Sequence, residues 1–179
     1  MGFGRFLTKK TTILLGLIFL LAILIRFLYF PDNTYFAYDA ARDSFGALEI
    51  LHGDLKIVGP PTSVNGNLFH GPLFYYFLAP IYFLFDKSPE AASFFLRILN
   101  ASGVFLVFLL GLTLFNESIG LLAAFLFAIS HEQSQYALFF GHPTLAVILV
   151  LLFYFGLARL FFKNDKKGLI WRNSCWFPW

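Results

Sequence analysis

The sequence predicts an all-α integral membrane protein: about four transmembrane helices, with amphipathic juxtamembrane helices on the extracytoplasmic side. Three observations predict it. Of 179 residues, 59% are hydrophobic and 21% aromatic but only 13% charged, about half the charged share of a soluble domain. Apolar runs of about 18 residues or more recur, each long enough to cross a bilayer core. The basic residues flank these runs, the arrangement that sets membrane orientation, so the net charge of +3 is no nucleic-acid footprint. The single cysteine, Cys175, leaves no internal disulfide and no thiolate metal cluster.

Taken in order, the first apolar run exceeds a signal-peptide core, lacks a small-residue cleavage site and ends in Arg26-Phe-Leu-Tyr-Phe-Pro31. It therefore predicts a retained span over about 12–30. A polar, Gly- and Pro-containing stretch opens the loop 31–90. Within it, 71–85 is apolar and aromatic but short for a crossing, and holds Pro80. Further spans are predicted over 91–115, 119–131 and 144–162, the last stopped by Lys163-Asn-Asp-Lys-Lys167.

Whether 71–85 crosses decides which side the basic tail faces. If it does not cross, Arg5, Lys9, Lys10, Arg159, Lys163, Lys166, Lys167 and Arg172 share one side with only Glu117 and Asp165. The positive-inside rule makes that side the cytoplasm. The other side then holds His52, His70, His131 and His142 and most of the acids. Residues 71–85 become an interfacial helix, whose Tyr75, Tyr76 and Tyr82 suit the aromatic belt. Ionisable chemistry is thus expected on the non-cytoplasmic face, with the N-terminus inside.

The densest polar cluster is Tyr38-Asp39-Ala-Ala-Arg42-Asp43. On a helix, Asp39 and Asp43 share a face with Arg42 beside them. Phe45, Leu48 and Leu51 turn toward the membrane, and His52-Gly53-Asp54 ends the helix with Gly as cap. This spacing fits a solvated ion-paired helix or a catalytic carboxylate. Gly59-Pro60-Pro61 opens a turn-rich loop. His70, ahead of the aromatic helix, suits a structural hydrogen bond or a lipid phosphate. His131, Glu132 and His142 flank an aromatic patch and are candidate site-lining residues. Their spacing matches no zinc motif, so no metal or other cofactor is assigned, although a divalent cation is compatible.

In order, Asp39-x-x-Arg42, His52-Gly53-Asp54, Gly59-Pro60, His70-Gly-Pro-Leu-Phe-Tyr-Tyr76, Ser88-Pro89-Glu-Ala-Ala and Arg97 resemble the N-terminal part of GT-C membrane glycosyltransferases. The resemblance is to the protein O-mannosyltransferase and aminoarabinose-transferase type (glycosyltransferase family 39-like), over about 12–165. It implies a sugar donor on a polyprenyl phosphate and a protein, lipid or glycan acceptor, with membrane lipids around both. It implies inverting transfer to an acceptor hydroxyl at the outer face of a membrane, a prokaryotic plasma membrane being expected. Asp39 matches the family's catalytic aspartate, with Asp43 a second candidate because Ala40 stands where many members carry Glu. The mechanism it implies has Arg42 and His70 meet the donor phosphate; His70-Gly71 stands at the position of the Lys-Pro that does so in the aminoarabinose transferases. Full members carry more spans, so residues 1–170 are expected to be one part of such a transferase domain, ending in an atypical tail, 171–179. The alternative reading is a small non-enzymatic membrane accessory or lipid-binding protein.

Overall fold

The computed structural model describes residues 8–62 and 68–162; the Lys163–Lys167 cluster and the 171–179 tail lie outside them. The described chain is helical: α1 (Lys9–Arg26), α2 (Tyr38–Leu51), α3 (Leu73–Leu84), α4 (Pro89–Leu114), α5 (Glu117–Ile129), α6 (His131–Leu138) and α7 (His142–Phe162). Side-chain caps set several starts. Thr8, Ser88, Asn116 and Ser130 accept from the backbone N–H three residues on, opening α1, α4, α5 and α6. Each satisfies a donor the first helical turn leaves open.

Among the described residues, two helices are long and apolar enough to cross a membrane, Pro89–Leu114 and His142–Phe161. α1 has 18 residues but carries Lys9, Lys10 and Arg26. α3 and α5 are apolar but have 12 and 13 residues, about 18–20 Å at 1.5 Å per residue. The expected third crossing, 119–131, is divided at Ser130, whose extended backbone ends α5 while its hydroxyl caps α6. The first apolar run also departs from expectation. Its helix stops at Arg26, and Phe27 to Asn33 form turns in which Tyr29 has φ 61°.

α1, α4, α5 and α7 pack together. Thr11 at the start of α1 hydrogen-bonds Glu117 at the start of α5, and Arg26 at its end reaches the end of α5. These two helices therefore run parallel, with α4 antiparallel to both. Gly111 of α4 and Gly120 of α5 let the backbones touch: a Cβ on Gly111 would stand 2.7 Å from the Gly120 Cα. Small residues at such crossings admit close approach where lipid supplies no hydrophobic drive. Around them Leu15, Ala22, Ala101, Val104, Phe108, Ala124 and Ala128 form one apolar core.

Two arginines, both 0% exposed, lie in this bundle. Arg26 donates to Asn100 Oδ1 at 2.7 Å and to the carbonyls of Ala22, Ala128 and Phe127. Arg97 donates to the Arg26 carbonyl at 2.7 Å, to Asn33 Oδ1 at 2.9 Å and to Ser93. Neither forms an ion pair with a carboxylate among the described residues. Three of the acceptors, the carbonyls of Arg26, Phe127 and Ala128, lie in the last turns of α1 and α5, where the helix dipole is negative. The faces of Phe127, Phe27 and Phe30 also lie against the guanidiniums, a cation–π arrangement that offsets lost hydration.

A second core holds α2 and α3 against the start of α4. Ala40 and Ala47 of α2 meet Phe74, Leu78 and Tyr82 of α3, with Ala92 and Leu96 of α4 and Phe140 beneath. Ser44 Oγ and Tyr82 Oη lie 2.6 Å apart. α2 ends where Gly53 takes φ 94°, a conformation glycine adopts without steric cost.

Candidate functional site

The site is built on the first two turns of α2. Arg42 lies between two carboxylates: its Nη1 donates to Asp39 Oδ1 at 2.7 Å, while Nε and Nη2 both reach Asp43 Oδ1, at 2.9 and 2.8 Å. The two aspartates share a helix face but not an environment. The Asp39 side chain is 60% exposed and that of Asp43 1%. Burial pushes the Asp43 carboxyl above its ordinary value, opposed by the hydrogen bond and charge of Arg42 and by the charge of His142. Burial draws the Arg42 guanidinium down, but the Asp43 hydrogen bond and the two carboxylate charges outweigh it, for a net rise. Three of the five N–H donors on an arginine go to the two carboxylates here, and Tyr75 draws on the same guanidinium.

Tyr75 of α3 closes the inner side. Burial pushes its hydroxyl up, and the charges of Asp43 and Arg42 both act on it. Its ring fits because residue 46 is glycine; a Cβ there would stand 3.0 Å from the ring. The sequence marked Tyr75 only as a belt residue, and Gly46 was the available sign that a ring lies against α2.

His70 and His142 come from distant segments and meet ring to ring, with centroids 4.2 Å apart and planes at 36°. A short antiparallel pairing holds His70: the Gly59 N–H donates to the His70 carbonyl and the His70 N–H to the Pro60 carbonyl, both at 2.9 Å. Only glycine serves at 59, where a Cβ would stand 2.5 Å from the Gly71 oxygen. At the start of α7, the buried Thr144 hydroxyl reaches the Tyr136 and Phe139 carbonyls. Phe140 packs edge-on to Phe36 and Phe74. The segment bearing His142 is thereby held against α2 and α3.

Asp39, Arg42, Asp43, His70 and His142 are therefore gathered, with Tyr75 added. His131 and Glu132 are not joined to them. Both are exposed, and His131 lies 3.3 Å from Gln135 on its own helix. No group of three or more His, Cys, Asp or Glu side chains converges as metal ligands among the described residues. The cluster can accept a proton at an exposed carboxylate and present imidazoles to a polar ligand beside it.

Residues 69–174 match the family model of dolichyl-phosphate-mannose-protein mannosyltransferases, more than half of the chain. The chain belongs to this family. Neither a curated protein nor a solved structure matches it. For this mannosyltransferase-family protein the matched region includes His70, His131, Glu132 and His142 and starts after α2. Membership makes it a membrane glycosyltransferase-like chain, in keeping with its two helices of crossing length and composition.

Proposed function

We propose that the chain carries the donor-and-base portion of a transferase that moves a sugar from a polyprenyl phosphate to an acceptor hydroxyl at the non-cytoplasmic face. One observation carries this reading: an exposed carboxylate, Asp39, held at 2.7 Å by Arg42, stands in one cluster with His70 and His142 of the family-matched region. In this reading α1, α4, α5 and α7 are the four crossings, and residues 1–170 contribute to the transferase's membrane domain. α2 and α3 lie in the outer interface.

Asp39 takes the proton of the acceptor hydroxyl. The oxygen attacks the anomeric carbon from the face opposite the phosphate and forms the new glycosidic bond. The bond from that carbon to the phosphate oxygen breaks, and its electron pair leaves on the polyprenyl phosphate, so configuration inverts. Asp43 keeps Arg42 in place. Arg42 and the His70–His142 pair meet the leaving phosphate, Arg42 as the cationic donor that favours developing charge and the imidazoles as hydrogen-bond partners.

A well-placed base contributes about 10²–10⁴-fold. Asp39→Asn is expected to lower transfer from a polyprenyl-phosphate sugar by at least about 10²-fold, with membrane insertion unchanged. Transfer at the parent rate would remove Asp39 from the chemistry.

A further inference from the structure

We propose that Arg97 is a positioning residue: it clamps the connector between α1 and α2, residues 27–37, and so fixes where the aspartate helix stands over the bundle. The effect on sugar transfer rests on the transferase reading above; the clamp itself does not.

The connector has no regular helix. Its internal hydrogen bonds, Phe30 N–H to Phe27, Asn33 N–H to Tyr29 and Thr34 N–H to Pro31, set its shape but not its seat. The seat comes from contacts with other elements. Rings Phe27 and Phe30 lie near Phe94 at 5.2 and 6.1 Å. Thr34 Oγ1 lies 3.4 Å from Ser93 Oγ, and Tyr35 bridges to Phe139. The one charge-assisted contact is Arg97. Its Nη2 donates to Asn33 Oδ1 at 2.9 Å while Nη1 donates to the Arg26 carbonyl at 2.7 Å. A single planar fork thus joins the last residue of α1 to the far end of the turn. Asn33 relays the hold, since its Nδ2 donates to the Leu28 carbonyl at 2.7 Å. The Phe30 ring covers the guanidinium at 4.8 Å, and Arg97 is 0% exposed, so water does not compete for these donors. Charge-assisted bonds in such surroundings are about twice as strong as neutral ones. Asp39 follows Asn33 by six residues, within reach of any shift at the clamp.

Disulfide trapping in the full chain, with Cys175→Ser throughout, tests the clamp. Tyr35→Cys with Phe139→Cys reports the seated connector, and Thr11→Cys with Glu117→Cys reports the opposite end of the bundle. Arg97→Met is expected to slow oxidation of the first pair by about tenfold or more, as local opening would. The second pair should stay within about twofold. Asn33→Ala should reproduce this pattern. An unchanged first pair would overturn the proposal, and so would an equal loss at both pairs, which makes Arg97 a support of the whole bundle. In a transfer assay, Arg97→Met should lower kcat about 10²-fold, the cost of a misplacement near 1 Å, with donor KM changed less than about threefold. A parent chain without transfer would count against the transferase reading, and the trapping rates would still decide the clamp.

Discussion

At the scale of single residues, Arg42 divides its donors between an exposed aspartate and a buried one. Burial holds the Asp43 carboxyl above its ordinary value, so the folded chain takes up this proton before the unfolded chain does. The contribution of Asp43 to stability is therefore greatest below the ordinary carboxylate value and falls as pH rises through the raised one. Arg42 limits that loss. Arg42→Gln should destabilise the chain by about 2 kcal/mol near neutral pH, the cost of a buried charge deprived of its partner. Near pH ~4.5 it should cost less, because Asp43 is then nearer to protonation. Thermal unfolding of both chains at the two pH values checks this, and a penalty that shrinks toward neutral pH would reverse the sign. The sequence showed that Asp39 and Asp43 share a helix face. It did not show that only one is buried, because the groups around Asp43 include Tyr75 and His142, which come from other segments.

Among the elements, glycines carry the sharpest tests. The Gly59 backbone lies against His70 and Gly71, and a Cβ would meet backbone atoms that cannot rotate away. Gly59→Ala should cost about 1–3 kcal/mol by overpacking and part His70 from His142. Gly120 stands against the Phe108 carbonyl and the Leu112 N–H, so Gly120→Ala should lower the unfolding midpoint. Gly16→Ala should change stability by no more than about 1 kcal/mol, since nothing lies within 4 Å of its Cβ position. Equal midpoints for the Gly16 and Gly120 variants would contradict the described α4–α5 crossing. Local signals made α2 legible: paired charges at its start, and Gly53 beyond its end. They did not reveal that α1 stops at Arg26, because the apolar run continues to Phe30. There the turn 27–33 takes over, with Arg97, distant in sequence, bonded to the Arg26 carbonyl and to Asn33. The meeting of His70 and His142 was hidden for the same reason; helical periodicity carries no information about ring contacts between remote segments.

On the scale of the whole molecule, two cores divide the labour. Helices α1, α4 and α5 enclose one, and α2 and α3 close the other over the start of α4. The site residues belong to the second layer, at the end of the bundle where α1 finishes and α4 and α7 begin. The two helices of crossing length and composition were readable from hydropathy. The packing order was not, since every apolar helix offers similar surface to its neighbours. The account depends on that second layer facing away from the cytoplasm. Labelling by a membrane-impermeant maleimide tests this most directly, in intact cells expressing Cys175→Ser chains with one further cysteine. Tyr38→Cys, beside Asp39 and 83% exposed, should be labelled from outside, and Lys10→Cys only after permeabilisation. Labelling of Lys10→Cys in intact cells, with Tyr38→Cys protected, would contradict the account.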